Sequence, residues 1–329
     1  MTVEREITEP VDLALGRRLN PDAVGWSRTP LHRTAIGGWG RTKRWEYWGV
    51  VTERFVIGVT VADLDYLTNA AIYVFDRENG VVITRDGIRP LGWSGLSDEP
   101  GDGSVDARAG LGPTRVKVRI DDDEAGTAIR AEATGLELDL AVTRPGHDSL
   151  AVVVPWTEKR FQYTLKDLAN PVSGTITIGG RIHELGTGWA VLDRGRGRWR
   201  YANKWNWGAG SGVVDGSTRA IQVGGKWTDG TGSTENGILM DGRMHKISED
   251  LRWEYDLSYP AAPWRVRGER LDATLTPFHR RRAITEAGVI AVKTHQAFGT
   301  WHGSAVLDDG STVSLDGLVG WAEESRNRW

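Results

Sequence analysis

The chain has 329 residues, of which 39% are hydrophobic and 26% charged, and its formal net charge is −3. This composition is typical of a soluble globular protein and provides no global field that would attract nucleic acid or an anionic membrane. The absence of cysteine excludes disulfides, thiolate metal sites and a cysteine nucleophile. No apolar run approaches the roughly 20 residues of a transmembrane helix, so we expect a cytoplasmic protein without a transmembrane segment.

The first half of the chain shows the patterns of short strands. Residues 1–40 contain three prolines and predict an irregular arm laid over a β domain. Runs of β-branched or alternating residues predict strands at 55–61, 71–75, 81–84, 115–120, 136–142 and 151–155. Asn79-Gly80 predicts a tight hairpin turn. Residues 98–112, rich in glycine and aspartate, predict a surface loop, and residues 161–170 predict the single short helix, which ends at Pro171.

The second half repeats the same pattern. Strands are predicted at 175–178 and 251–257, and Asp-Gly pairs beginning at 215, 229, 241 and 309 predict tight turns between strands. A period of 3.6 residues is almost absent, which disfavours helical and α/β folds. The chain is therefore predicted to be all-β, with a sandwich or barrel architecture. Two domains are expected, residues 1–170 and residues 171–329.

The most unusual stretch is residues 193–212, where tryptophan, arginine, asparagine and an acid are interleaved. Read as a strand, it places its arginines at 194, 196, 198 and 200 on one face. Asp193, Trp205 and Trp207 share the other parity. A strand with polar groups and large aromatics on one face is typical of a ligand-sized cavity; the alternative is an outward row of arginines above an ordinary tryptophan core.

Four groups of residues carry possible chemistry. They combine an acid, an amide or a histidine with tryptophan: Asp193 with Trp205, Asn206 and Trp207; Glu235 with Asn236; His295 with Gln296 and Trp301; and Glu323 beside Trp321. For each acid, a salt bridge on the surface is the competing interpretation. Glycines 208, 210 and 212 lack the spacing and the following helix of a dinucleotide-binding turn. Residues 295 and 302 would point to opposite faces of one strand, so we expect no metal site.

The chain resembles a known family, the bacterial domain of unknown function 2804. The resemblance runs over nearly the whole sequence and lies in the following motifs: EITEP (6–10), GWSRTPLH (25–32), KRWEYW (43–48), ADLDY (62–66), DRGRG (193–197), WNW (205–207), TEN (234–236), DGRMH (241–245), PW (263–264), HQAFG (295–299) and GWAE (320–323). The family is distantly similar to carotenoid hydratases, tocopherol cyclases and Diels–Alderases. That similarity implies two lipocalin-like antiparallel β-barrel domains and apolar, often isoprenoid, substrates, but it transfers no catalytic residue.

These observations favour a cofactor-free enzyme that performs acid–base chemistry on a hydrophobic or amphiphilic small molecule: hydration, isomerisation or cyclisation of an alkene. Protonation of a double bond creates a cation that tryptophan faces stabilise by roughly 0.5–2 kcal/mol each. We expect Glu235 or Asp193 to be the acid and His295 the base. Trp205, Trp207 and Trp301 would form the wall of a cavity in the second domain. The substrate would be oriented by a set of polar side chains, namely Asn206, Asn236, Gln296 and Glu323.

Three other functions remain open at this stage. The same cavity would suit a non-catalytic protein that binds a lipid, pigment or carbohydrate, because sugars also stack on indole faces. A glycoside-processing enzyme would need two opposed acids, for which Glu235 with Glu323 or Asp193 could qualify. A scaffold whose tryptophans are only core is the third possibility.

Overall fold

A computed structural model of the protein describes residues 4–92, 94–123, 125–287 and 290–328. Within these ranges the regular structure is β, apart from two three-residue 3-10 helices, Pro21–Ala23 and Gly112–Thr114. The prediction of an all-β fold is confirmed. The described residues include no helix long and apolar enough to cross a membrane.

The N-terminal arm forms only minimal strands. Its five two-residue strands are β1 (Val11–Asp12), β2 (Ala14–Leu15), β3 (Arg18–Leu19), β4 (Trp26–Ser27) and β5 (His32–Arg33). Strand β4 joins the edge of the first large sheet, while β1 pairs with β5 and β2 with β3.

The first large sheet is antiparallel and curls into a nearly closed barrel. Besides β4 it contains β6 (Thr42–Thr52), β7 (Phe55–Asp63), β8 (Leu67–Asp76), β9 (Val81–Pro90), β10 (Val105–Ala109), β11 (Val116–Asp123), β12 (Gly126–Ala133), β13 (Leu136–Val142), β14 (Leu150–Thr157), β15 (Arg160–Ile178), β16 (Arg181–Glu184) and β17 (Gly188–Arg198). The main path runs β10-β11-β12-β13-β15-β17-β6-β7-β8-β9. Its two ends meet where Gly110 N donates to Ile88 O at 3.2 Å.

The second large sheet is also antiparallel and curled. It contains β18 (Ala202–Val214), β19 (Ser217–Gly225), β20 (Asn236–Met240), β21 (Arg243–Ile247), β22 (Arg252–Glu254), β23 (Trp264–Arg267), β24 (Leu271–Ala287), β25 (Ile290–Val306), β26 (Thr312–Ser314) and β27 (Leu318–Arg328). Its path runs β21-β20-β19-β18-β27-β25-β24-β23-β22, with β26 attached to β25. Trp253 Nε1, on the last strand of this path, donates to Gly224 O of β19 at 3.2 Å.

Two local predictions are wrong. Residues 161–170 lie within the 19-residue strand β15, and a bulge between Asp167 and Asn170 bends that strand without forming a helix. The bend lets one strand pair with β14 in its first half and with β13 in its second. Residues 98–112 are a loop only in part, because β10 lies inside them and closes the first barrel.

The change from one sheet to the other falls between Arg198 and Ala202. Pro171 lies within β15, where it is paired with Trp189 of β17, so it does not end the strand. Further strands of the first sheet follow it. The division into domains at 170/171 stays a prediction; the sheets themselves divide after β17.

Three buried clusters hold the molecule together. The first fills the first barrel and is mostly aliphatic, and another aliphatic cluster with two tryptophans fills the second barrel. The remaining cluster lies between the two sheets and takes side chains from both. It contains six buried tryptophans and three partly buried ones: Trp26, Trp156, Trp199, Trp207, Trp227 and Trp321, with Trp45, Trp189 and Trp205.

Candidate functional site between the two sheets

Strand alternation directs the candidate residues towards the space between the sheets. On β17, Ala190 and Leu192 belong to the core of the first barrel, whereas Val191 belongs to the cluster between the sheets. Asp193 has the parity of Val191 and therefore faces the second sheet. On β18, Trp207 and Ala209 belong to the same cluster, so Trp205 points back towards the first sheet. The sequence placed the site inside the second barrel; the structure places these residues between the barrels, because each barrel interior is already packed.

A buried lysine connects two of the predicted acids. Lys166 Nζ lies 2.7 Å from Asp193 Oδ1 and 3.5 Å from Glu235 Oε2. Burial lowers the pKa of Lys166, but the carboxylates of Asp193 and Glu235 outweigh that effect and leave its pKa above the ordinary value. Lys166 therefore keeps its charge. It comes from β15 in the first sheet, so the ion pair with Glu235 crosses between the sheets.

Glu235 is held by one hydrogen bond on one oxygen. Trp227 Nε1 donates to its Oε1 at 2.5 Å. Its Oε2 accepts no hydrogen bond from the described residues, although Lys166 is close. Burial raises the pKa of Glu235, which is 2% exposed. The carboxyl lies directly on Gly224, where a β-carbon would come within 2.3 Å of Glu235 Cγ.

Glu323 is the second buried carboxyl of the site. Trp205 Nε1 donates to its Oε1 at 2.8 Å. Burial raises the pKa of Glu323 to about 7, and the nearby charge of Asp193 adds to the effect, while Trp205, Lys166 and Arg281 act in the opposite direction. Glu323 therefore gains and loses a proton near neutral pH.

Polar groups from both sheets surround Glu323. Tyr47, on β6, lies close enough to Glu323 for the carboxylate charge to raise the pKa of its phenol. The Tyr47 side chain also forms a hydrogen bond with Gln296. Burial raises the pKa of the Tyr47 phenol, so that it stays protonated. On β8, which is separated from β6 by β7, Tyr73 OH lies 2.8 Å from His279 Nε2 of the second sheet. Arg281 stacks over the Tyr73 ring at 4.3 Å.

Indole rings form a continuous wall through the site. Trp199 contacts four other tryptophans with ring centroids between 5.3 and 5.9 Å: Trp45, Trp156, Trp205 and Trp227. Trp207 packs edge-on against Tyr47 at 5.7 Å and Trp321 at 5.2 Å. The Lys166 ammonium lies 4.3 Å from the centroid of the Trp207 ring, so one indole face already stabilises a cation.

Glycines on the facing strands make room for these rings. A β-carbon on Gly195 would lie 2.1 Å from the Trp45 ring, and one on Gly49 would lie 2.4 Å from Trp321. The glycines at 208 and 210, which lack the context of a nucleotide-binding turn, serve a similar purpose inside the second barrel. Their missing side chains accommodate the ring of Trp301. At these positions glycine is required by the tryptophan ring that packs on the strand.

Several predicted site residues lie elsewhere. Trp301 is in the core of the second barrel and donates from Nε1 to Ala209 O at 3.1 Å. Asn206 bonds to Tyr255 OH and Glu323 O, on the barrel side of β18. Asn236 accepts from Gly224 N and donates to Glu249 O, so its amide holds strands together.

His295 does not join the acids. It follows the parity of Ala297, which belongs to the core of the second barrel, and so points away from Gln296. Burial lowers the pKa of His295, and the surrounding charges are those of Arg280, Arg282, Glu324 and Arg326. The structure thus brings Asp193, Glu235, Glu323 and Gln296 to one region with Trp205 and Trp207, and leaves His295 at the mouth of the second barrel.

The arginines of β17, at 194, 196 and 198, are buried, contrary to the interpretation of an outward-facing row, whereas Arg200 lies beyond the strand and is exposed. Arg194 lies against Glu46, with Nη2 to Oε1 at 3.0 Å, inside the first barrel. Arg196 is 1% exposed and donates to the carbonyls of Trp45 and Ser97. Together these groups form a satisfied polar end to the barrel core.

Sequence reasoning missed Lys166, Tyr47 and Trp227 as members of the site. Lys166 lay in the segment predicted to be a helix, where its parity in a strand could not be read. Tyr47 lies in the motif at 43–48, and Trp227 follows Gly225 by two residues; neither position indicates its partner. The signal that existed was the parity of Lys166 with Gln162 and Thr164, both of which are buried.

Comparisons with solved structures show the same fold. CghA bound to Sch210972 is 14% identical with a TM-score of 0.54, over 91% of this chain and 89% of that one. Kievitone hydratase from Nectria haematococca is 10% identical with a TM-score of 0.51, over 88% and 89%. A protein from Nitrosomonas europaea, provisionally named AttH, is 16% identical with a TM-score of 0.52, over 87% and 92%. A sequence comparison with curated proteins gives no match.

The fold therefore defines a class of all-β proteins built from two curled, nearly closed antiparallel sheets, which includes kievitone hydratase. Within it, the sequence matches the family described as a domain of unknown function (DUF2804) over residues 4–329. The chain belongs to this family, and the resemblance inferred from its motifs is confirmed.

Proposed function

We propose that the protein is an enzyme of the hydratase, isomerase or cyclase type that uses acid–base chemistry, without a cofactor, on a hydrophobic small molecule bound between the two sheets. The observation that carries the proposal is Glu323. It is a buried carboxyl whose pKa is raised to about 7 and which lies beside tryptophan and tyrosine rings. A general acid is most effective when its pKa is close to the working pH.

The surroundings of Glu323 suit a cationic intermediate. The face of Trp207 already binds the Lys166 ammonium, and the rings of Trp205 and Tyr47 lie nearby. An indole face contributes roughly 0.5–2 kcal/mol to a cation that is removed from water. A carbocation formed by protonation of an alkene would be stabilised in the same way by the rings of Trp205 and Tyr47, since Lys166 already covers a face of Trp207.

Partial access to the site supports binding of a small molecule there. Trp45, Tyr47 and Trp205 pack against the cluster between the sheets, yet each keeps part of its surface accessible. Arg281 and Thr294, on the facing strands of the second sheet, are likewise only partly buried. We propose that an apolar ligand reaches Glu323 past these partly exposed side chains.

The chemistry balances with the groups present. Glu323 gives its proton to one carbon of a double bond and becomes a carboxylate. In hydration, water adds to the resulting cation and passes a proton to Asp193 or back to Glu323. In isomerisation or cyclisation, the cation loses a proton from another carbon to the same carboxylate. We assign Glu323 as the donor, in preference to Glu235, because Lys166 and Trp227 already engage Glu235.

The neighbouring structures support this reaction class, since one of them is named a hydratase. The glycosidase alternative is less favoured because Lys166 occupies the space between Asp193 and Glu235. In a glycosidase, that space between the two carboxyl groups holds the bond to be cleaved.

Proton transfer to carbon can be tested before the substrate is known. The protein is incubated with a metabolite extract in deuterated water, and compounds that gain deuterium in C–H bonds, or gain water, are detected by mass spectrometry. We expect gain with the wild type and none with Glu323→Gln. The matched control is Glu158→Gln, an exposed acid that pairs with Arg18, which should behave as the wild type.

Infrared spectroscopy provides an independent measurement. The wild type should show a protonated carboxyl band that disappears with a midpoint near the pKa of about 7, and Glu323→Gln should lack it. Deuterium gain that persists in Glu323→Gln would overturn the assignment. A compound retained unchanged by the wild type, with no deuterium gain in any compound, would favour the binding-protein alternative.

A further inference from the structure

A large cavity lies near the mouth of the second barrel, at the ends of strands β18, β25 and β27. Its volume is about 840 Å³, within the range of ligand pockets in proteins. Six basic side chains line it: Arg200, Lys204, Lys226, Lys293, Arg326 and Arg328. The lining residues of the described chain include no acid. In a protein of net charge −3, this concentration of positive charge is a local feature.

The Glu324 carboxylate lies next to the cavity. Glu324 pairs with Lys226 and accepts from Arg326 Nε at 2.7 Å. It therefore engages two of the six cations. Among the described residues, no carboxylate lies within ion-pair distance of Lys204, which is exposed to the cavity. Lys204 therefore adds a positive charge to the cavity beyond these two pairs.

Two asparagines provide a second, independent observation. Asn203 and Asn327 are directly opposite each other on β18 and β27, and both line the cavity. Asn203 is 8% exposed and Asn327 4%, yet Asn203 Nδ2 and Asn327 Oδ1 have no hydrogen-bond partner within the described residues. A buried amide without a partner costs free energy unless a ligand or water satisfies it.

The cavity also has an aromatic side. Trp227 lines it and, through Nε1, donates to Glu235. The same indole ring therefore borders both the cavity and the acid–base site. An occupant would meet cations on one side, and an indole face together with the Asn203 amide on the other, because Asn203 and Lys204 are consecutive residues of β18 and point to opposite faces.

We propose that this cavity binds an amphiphilic organic anion, a molecule with a phosphate or carboxylate head. The head would lie among the basic side chains and accept a hydrogen bond from Asn203, and its apolar part would pack on Trp227. Binding of such an anion does not depend on the function proposed above. Only the further identification of this anion with the substrate of the acid–base site rests on that function.

The test is isothermal titration calorimetry of the full chain with octyl phosphate, inorganic phosphate and octyltrimethylammonium. We expect octyl phosphate to bind with one molecule per chain and to weaken as salt is added, because the contacts are ionic. Inorganic phosphate should bind more weakly, since it lacks the apolar part, and octyltrimethylammonium should not bind. Equal affinity for octyl phosphate and octyltrimethylammonium would overturn the proposal.

Two variants locate the site. Lys204→Glu should raise the Kd for octyl phosphate by about tenfold or more. Reversal of one charge beside the anionic head is expected to cost at least the free energy that corresponds to a tenfold change in Kd. Lys159→Glu is the matched control, because Lys159 is an exposed lysine in the turn between β14 and β15, and it should leave the Kd unchanged. An unchanged Kd in Lys204→Glu, or an equal rise in both variants, would also overturn the proposal.

Asn203→Ala separates the amide from the charges. This variant should weaken the binding of octyl phosphate several-fold. The dependence of the affinity on salt concentration should stay as in the wild type, because no charge is removed. If a folded Asn203→Ala variant binds octyl phosphate as tightly as the wild type, the Asn203 amide does not contribute to the site. Because calorimetry needs no turnover, failure here is distinguishable from failure of the acid–base proposal.

Discussion

Glu323 and Glu324 are adjacent on β27 and lie on opposite faces of the strand. Glu323 faces the cluster between the sheets, where burial raises its pKa from 4.5 to about 7. Glu324 faces the other side, where burial alone would raise its pKa. There Lys226, Tyr255 and Arg326 hold the pKa down to about 2. Two identical side chains thus have opposite ionisation because strand alternation gives them different neighbours.

Replacement of Glu323 by glutamine should change the pH dependence of stability. The pKa of Glu323 is higher in the folded state, so its stabilising contribution is complete below pH 4.5 and is lost as pH rises towards about 7. The difference between these pKa values corresponds to about 3 kcal/mol. In urea titrations, Glu323→Gln should therefore be more stable relative to the wild type at about pH 8 than at about pH 4.

Glu324→Gln is the matched comparison, with the opposite sign. The lowered pKa of Glu324 stabilises the fold above pH 4.5, and the contribution is lost as pH falls towards about 2. Glu324→Gln should therefore be less stable than the wild type at neutral pH, and the gap should close in acid. Parallel pH curves for the two variants would contradict the assignment of the two faces.

At the scale of elements, the N-terminal arm is attached to the second sheet next to the candidate site. Lys246 Nζ lies 2.6 Å from Glu4 Oε1, and the Glu4 carboxylate also accepts from Thr234 N and Thr234 Oγ1. Thr234 immediately precedes Glu235. The arm therefore fixes the segment that carries Glu235, one of the buried carboxyls of the site, although the arm and this segment are far apart in the sequence.

Removal of the Glu4 carboxylate should be costly. Glu4→Ala leaves the Lys246 ammonium buried without its partner, and we expect a loss of about 3 kcal/mol in the free energy of unfolding. Chemical denaturation measures this loss. The double variant Glu4→Ala with Lys246→Met should recover a large part of it, because an apolar side chain then replaces the unpaired charge.

Glu6→Ala is the control on the same arm. Glu6 forms a more exposed ion pair with Arg28, so its removal should cost no more than about 1 kcal/mol. Equal losses in Glu4→Ala and Glu6→Ala would show that the arm contributes only general contacts.

At the scale of the whole molecule, the two barrels share their largest aromatic cluster. Each barrel has its own aliphatic core, but the tryptophans between them belong to neither. Lys166 from the first sheet is paired with Glu235 from the second, and Tyr47 packs on Trp207. Separation of the barrels would expose these rings and leave buried charges unpaired, so we expect both barrels to unfold together.

Hydrogen exchange can measure this coupling. Leu138→Ala removes a buried side chain in the first barrel, with an expected cost of about 2–5 kcal/mol. If unfolding is shared, slowly exchanging amides of β20 and β25 should lose as much protection as those of β12 and β13. Ile238→Ala in the second barrel provides the reciprocal test. Loss confined to the altered barrel in both variants would mean that the two sheets unfold separately.

The all-β class, the family and several strand positions follow from the sequence alone, although the strand predicted at 251–257 is only Arg252–Glu254. Alternation and turn residues are local signals, so 136–142 and the Asn79-Gly80 hairpin correspond to β13 and to the turn between β8 and β9. The segment 161–170 was misread because Pro171 resembles the end of a helix, whereas a bulge lets β15 continue through it. The interleaved stretch at 193–212 correctly indicated that the site is rich in polar and aromatic side chains. It did not indicate that these side chains face the space between the two barrels.

Only the tertiary structure decided which side chains meet. The parity of a strand gives two faces, but it does not say which face lies inside a barrel and which lies against a second one. Thus Arg194 is buried within the first barrel, Asp193 faces Lys166, and His295 points away from both. The raised pKa of Glu323 likewise depends on its burial between two sheets, whose strands come from different parts of the chain. Local sequence sets period and turn, while the packing of one barrel on the other sets the environment of each charge.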